Sequence, residues 1–230
     1  MKLINLLFLT STLLLTTPLM ANNQIDIVDY VQQVFVEGLP YEEASQYDSS
    51  NANILNQMLR QSEYVEHWGK IAVLMEIIGE ETVIDDIIDF IENDPYGHFG
   101  EPHHRAKKAA LYGLGYLIHR TNNKKAIKYL VESLNTDSWN KRGVVTFASQ
   151  HKSAEKKRRQ LSKAALLGLA LSGTDETLKE IKKFKKLTKK HSLFRSEVDD
   201  LLNHVIVTNA EIRELGMKGY YKEGEKKRKH

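Results

Sequence analysis

The stretch Lys108 to Leu130, KAALYGLGYLIHRTNNKKAIKYL, decides the fold. Its first half carries apolar residues at three- and four-residue spacing around small ones, then a short polar turn, then a second amphipathic run. That is the pattern of two helices meeting at a tight turn. Two further segments superpose on it when aligned on a lysine. Lys70 to Ile91 reads KIAVLMEIIGEETVIDDIIDFI, and Lys163 to Phe184 reads KAALLGLALSGTDETLKEIKKF. Two places on, each has an alanine (Ala72, Ala110, Ala165), followed by Val73, Leu111 or Leu166. The second and third segments also share Gly113 and Gly168, then Leu114 and Leu169. The offsets are 38 and 55 residues, so about 17 residues are inserted between the second and third units, within Thr136 to Arg159. Small residues on a first helix let a second lie close across it. Neither helix buries its apolar face alone, so neighbouring pairs must stack.

Working outward, the same period continues. Ile25, Val28, Val31 and Phe35 form one stripe, stopped by Gly38 and Pro40. Ile54, Leu55, Met58 and Leu59 form another. Ile71, Leu74, Met75 and Ile78 precede Gly79, and Ile84, Ile87, Ile88 and Ile91 follow it. Thr82, three residues before Asp85, reads as a helix cap. Pro102 suits a first helical turn, and Thr174 and Ser196 stand where N-caps belong. No run alternates long enough to demand a strand; Gly143 to Ala148 is the one short β-like stretch. The expected fold is all-α, an α-solenoid of three to four antiparallel helix pairs.

The lysine, small-residue helix, turn and amphipathic helix resemble HEAT-type repeats, and are especially similar to the short HEAT-like units of bilin lyase-related bacterial proteins. The resemblance spans Asn51 to Leu187 and is firmest in the three aligned segments. It implies a fold more than a function. The proline that often kinks the first helix of long HEAT repeats is missing. Some HEAT-like enzymes hold iron with His-Glu dipeptides; this chain has nine histidines and no His-Glu pair. Nothing maps onto the catalytic residues of a lyase.

Composition narrows the classes further. The chain has 230 residues, 27% charged and 41% hydrophobic, as in ordinary globular domains. It has no cysteine, which excludes disulfides, thiolate nucleophiles, Cys-ligated zinc and iron–sulfur clusters. Met1-Lys2, the apolar run Leu3 to Leu15, and Pro18 to Ala21 read as a signal peptide over residues 1–21, cleaved after Ala21. The run is too short for a membrane anchor. The expected location is exported, periplasmic or secreted. The organisation read from sequence is an acidic helical cap over 22–66, a repeat domain over 67–215 with its insertion at 136–159, and a basic disordered tail over 216–230.

The densest polar constellation is Asp94-Pro-Tyr-Gly-His-Phe-Gly-Glu-Pro-His-His104. One reading is a metal or ligand site, and hence an enzyme or metal-dependent protein, using His98, Glu101, His103 and His104, whose imidazole and carboxylate donors suit zinc, copper or iron. Adjacent His103 and His104 point about 100° apart on a helix. The plainer reading is an inter-repeat loop turned by Gly97 and Gly100. Trp68, Tyr96, Phe99 and Trp139 are aromatic candidates for partner contact; the plainer reading of the two tryptophans is packing caps at helix edges. No P-loop, nucleophile elbow or zincin motif occurs, and no cofactor is expected.

Charge is the loudest signal. Residues 22–104 hold two Lys/Arg (Arg60, Lys70) and 17 Asp/Glu, a net of −15; residues 105–230 hold 30 and 13, a net of +17; Lys2 restores the overall +3. Three readings stand: a basic face for a polyanion through Lys156, Lys157, Arg158, Arg159, Lys182, Lys183, Lys186 and Lys190; mutual attraction of acidic and basic halves, within or between copies; and solvated faces of amphipathic helices. Export argues against nucleic acid and leaves an anionic envelope polymer or lipid. The leading functional expectation is a non-enzymatic scaffold that binds a protein partner through its repeat surface.

Overall fold

The computed structural model describes residues 24–36, 38–93, 100–144, 151–188 and 195–228, apart from the side chains of 151–153, 195–199, 225 and 228. Within them the chain is all-helical, with no strand. Eleven α-helices occur: α1 (Ile27–Gln32), α2 (Tyr41–Ala44), α3 (Ala52–Met58), α4 (Trp68–Ile78), α5 (Ile84–Glu92), α6 (Glu101–Thr121), α7 (Lys124–Ser133), α8 (Thr136–Lys141), α9 (His151–Leu171), α10 (Asp175–Thr188) and α11 (Arg195–Arg228). The expected signal segment, most of the β-like stretch and Lys190 lie outside the described residues, as do Tyr96, His98 and Phe99.

The turn inside the opening stretch is made by two adjacent asparagines with opposite tasks. Asn122 takes the left-handed conformation (φ 50°, ψ 33°) and its N–H donates to Ile118 O at 2.7 Å, which ends α6. The side chain of Asn123 then accepts from the N–H groups of Lys125 and Ala126 at 2.9 and 3.1 Å, which starts α7. The third segment repeats this with other residues. Gly173 is left-handed (φ 58°), and Thr174 Oγ1 accepts from Thr177 N at 3.2 Å. The first segment departs from them: Gly79 is extended and a 3-10 turn, Glu81–Val83, leads into α5. Thr82 therefore does not cap α5; Val83 occupies the cap position, with no side-chain cap bond. Pro102 does sit in the first turn of α6.

The core is a row of helices running the same way. Between α4 and α6, Gly69 meets Ala106 and Ala109, Val73 meets Gly113, and Arg120 donates to the carbonyls of Glu76 and Gly79. Between α6 and α9, His104 pairs with Gln160 at 2.8 Å, Leu111 meets Gly168, and His119 Nδ1 lies 3.0 Å from Ser172 O. The contact Val73–Gly113 thus recurs as Leu111–Gly168, between equivalent positions of the aligned segments. A Cβ on Gly168 would lie 2.3 Å from Leu111 O, and one on Gly115 would lie 2.4 Å from Gly168 O. Only glycine permits backbones this close. The first part of α11 runs against α10 and so parallel to α9: Lys185 reaches Asn203 at 2.6 Å, Asn209 donates to Leu169 O and Thr177 Oγ1 at 3.0 Å each, and Arg213 pairs with Asp175. On the other side α5, α7 and α10 align their N-termini through Lys125–Asp85 and Lys124–Glu176 ion pairs.

Two elements differ from the sequence reading. The basic tail after residue 216, expected to be disordered, is helical to Arg228 beyond a kink at Gly216 (φ 69°, ψ 166°). Met217 is buried, and Tyr220 and Tyr221 pack against the core. Three apolar anchors in one helical turn outweigh the lysines around them. The N-terminal stripe is a six-residue helix only, and Ile54 is exposed while Leu55, Met58 and Leu59 are buried.

Gly173 carries two constraints, a left-handed backbone and a Cβ path blocked by Ile212 Cγ2 at 2.6 Å. Gly173→Ala is expected to cost about 2–4 kcal/mol in urea unfolding. Asn122→Gly, at a position with only the conformational constraint, stays within about 0.5 kcal/mol of the parent.

Candidate functional site

The histidine constellation does not assemble among the described residues. His103 and His104 sit in the first turns of α6 and diverge. His103 lies edge-on to the indole of Trp68, with ring centroids 5.3 Å apart, whereas His104 is buried and turned toward Gln160 of α9. Burial pushes the His104 imidazole below its usual range, favouring the neutral form. Glu101 is exposed and His98 lies outside the described residues. No group of three or more possible metal-ligating side chains occurs among the described residues. The two described histidines serve helix packing.

Both tryptophans, candidates for partner contact with packing as the plainer reading, are core residues. Trp68 is 1% exposed; its N–H donates to Met58 O and Gln61 O at 3.1 and 3.2 Å, which closes α3 onto α4. Trp139 is 0% exposed and donates to Ser162 Oγ at 3.0 Å, which pins the inserted α8 to α9. Beside it, Arg142 lies over the rings of Tyr129 and Trp139 at 4.3 and 5.3 Å, and pairs with Glu92 and Glu132 at 3.2 and 3.3 Å. A large ring with one polar atom is well suited to such a buried joint.

The basic candidates divide. Lys182, Lys183 and Lys186 are exposed on α10, and Lys156 is exposed on α9. Lys157, Arg158 and Arg159 are half-buried; Arg158 donates to Asn140 Oδ1 at 2.8 Å and Arg159 pairs with Glu155 at 3.5 Å. Part of the opposite charge is consumed inside the molecule. Arg105–Glu66 (2.8 Å), Lys125–Asp85, Arg142–Glu92 and Lys218–Glu42 (3.9 Å) each join the basic half to the acidic one.

Two features escaped the sequence reading. Glu76 of α4 is fully buried, and neither of its carboxyl oxygens has a hydrogen-bond partner among the described residues. The carboxyl lies where a Gly113 side chain would go. Burial pushes it well above the usual carboxylate range, so the neutral acid is the form held in the core. The signal was present in the alignment, where Glu76 stands in the column of Leu114 and Leu169. The second feature is a tyrosine cluster. Tyr41 stacks on Tyr116 and Tyr221 with centroids 5.5 and 5.3 Å apart; Tyr112 meets Tyr116 edge-on; and the Tyr221 hydroxyl bonds that of Tyr116. Burial raises the Tyr116 and Tyr221 phenols, which stay protonated. The cluster joins α2, α6 and the end of α11. Tyr221 lies 109 and 105 positions from Tyr112 and Tyr116, and Tyr41 comes from a third, distant segment, so no local pattern predicts the cluster.

Compared with protein-family models, curated proteins and solved structures, the chain matches none. Its chemistry is therefore read from its own residues.

Glu76 sets a pH dependence. Its folded pKa lies above the unfolded value of about 4.3, so the folded state binds the extra proton and stability is lost as pH rises above that value. Urea midpoints of the parent and Glu76→Gln, measured from pH 4 to pH 9, are expected to diverge. The variant gains on the parent by up to about 1.4 kcal/mol per pH unit until the parent's carboxyl ionises. Parallel curves would contradict a neutral buried Glu76.

Proposed function

We propose that the chain is an exported, non-enzymatic scaffold of HEAT-like helix pairs, an α-solenoid that binds a protein partner through its helical surface. The observation that supports it most is the repeated contact, Val73 with Gly113 and Leu111 with Gly168, at equivalent positions of successive units. A unit that stacks on its neighbour by the same contact makes an extended surface whose length grows with unit number. The pairs are α4–α5, α6–α7 and α9–α10, with α11 as a further first-type helix. Export rests on the signal-like residues 1–21. No helix among the described residues is long and apolar enough to cross a membrane.

A second reading draws on a separate observation, the exposed Lys182, Lys183 and Lys186 of α10 and Lys156 of α9. It assigns this basic surface to an anionic envelope polymer or lipid. Such binding weakens steeply with salt because it releases counterions.

The immobilised chain is expected to recover one protein from envelope extract in near-stoichiometric amount, and to bind anionic vesicles no better than neutral ones. Recovery of none across several ionic strengths, with salt-sensitive retention on anionic vesicles, would replace the scaffold by the second reading.

A further inference from the structure

We infer that the partner of the lysine-rich end is the acidic end of a second copy of this chain, so that copies associate head to tail. The inference rests on the repeat-scaffold reading for its geometry and adds the identity of a partner.

The charge asymmetry of the sequence becomes a spatial one. The row α4, α6, α9, α11 has α2 and α3 against its first member, with Lys70 of α4 donating to Gln33 O just after α1, and α10 with α11 at its last. At the first end Asp29, Glu43, Asp48 and Glu63 are exposed, and so are apolar side chains: Ile25, Ile54, and most of all Val34 (89%) and Val36 (96%). At the other end Lys179, Lys182, Lys183 and Lys186 are exposed beside Leu187 and Val207, each about half exposed (53% and 54%). The first end is thus predominantly acidic, with Lys218 reaching it through Glu42, and the face of α10 at the other end is predominantly basic, with Asp175, Asp200 and Glu214 also exposed on α10 and α11; both carry apolar side chains. Contact between the two ends sets predominantly opposite charges against each other and relieves the repulsion within each.

The last layer is also open. The helices α4, α6 and α9 each have an antiparallel companion in α5, α7 and α10. Among the described residues α11 has none after it, because its chain kinks at Gly216 and returns toward α2 and α6. Junctions between the halves within one copy already use the same chemistry, as Arg105–Glu66 and Arg142–Glu92 do. Lysines steer the approach over a Debye length, and the apolar side chains supply contact that salt does not screen. Such an interface is heterologous: each copy uses two different surfaces, and the row extends or closes into a ring.

The test is sedimentation of the full-length mature chain over a concentration series at about 0.02 M and about 0.3 M salt. The parent is expected to exceed about twice the monomer mass at low salt and to return to monomer at high salt. Lys182→Glu/Lys183→Glu/Lys186→Glu and Asp29→Lys/Glu43→Lys/Glu63→Lys each stay monomeric at low salt. An equimolar mixture of the two restores association, because each then meets its complement. A monomeric parent at both salts, or variants that associate as the parent does, would overturn the inference. A monomeric parent that binds phosphatidylglycerol vesicles overturns it too and assigns the lysines to lipid. In each of these cases the scaffold reading stands or falls on its own extract experiment.

Discussion

The structure depends on how closely α6 approaches α9. Leu111 O lies where a Gly168 side chain would begin, and Gly168 O lies where a Gly115 side chain would begin. Two helices in such contact exchange main-chain surface directly, and every neighbour is placed by it. The row α4, α6 and α9 keeps its spacing through these positions. The second-type helices α5, α7 and α10 then share one side, with their N-termini close enough for Asp85, Lys125, Lys124 and Glu176 to pair. Those exposed pairs add little individually, about 0–1 kcal/mol each, so they report the alignment rather than cause it.

Cation placement follows the same frame. Lys107 is buried, yet its ammonium donates to Phe90 O and Ile91 O at 3.1 and 2.7 Å, the open carbonyls at the end of α5. Arg120 does the same for the end of α4. Helix C-termini present unpaired carbonyls with partial negative charge, and a cation from the next unit satisfies both needs. Glu76 is the opposite case, an acid in an apolar column without a hydrogen-bond partner among the described residues. It costs stability whenever it is charged, and the row accommodates it because Gly113 leaves room.

Much of this was legible in sequence, and the reasons are local. The helical period, the aligned Gly113 and Gly168, and the caps at Pro102 and Thr174 are set within a few residues of each feature. The Asn122–Asn123 turn is local too, although the separate tasks of the two residues needed backbone angles. What was missed depends on distant chain. That Trp68 and Trp139 pack was the plainer reading, but their partners Met58 O, Gln61 O and Ser162 Oγ could not be named from sequence. The C-terminal lysines suggested disorder because Tyr41, Tyr112 and Tyr116, which receive Tyr221, lie far up the chain. The divergence of His103 and His104 was legible from their adjacency on a helix, and on α6 they do face different helices, Trp68 of α4 and Gln160 of α9.

The central claim is that Gly115 and Gly168 form one shared crossing of α6 and α9. A double-mutant cycle of Gly115→Ala and Gly168→Ala, read by urea unfolding, tests it most directly. Once one methyl group has pushed α6 and α9 apart, the second meets less resistance. The double variant is therefore expected to lose at least about 1 kcal/mol less than the sum of the single losses. Gly69→Ala with Gly168→Ala, in different crossings, should add within about 0.5 kcal/mol. Additive losses for Gly115 and Gly168 would contradict a shared crossing of α6 and α9.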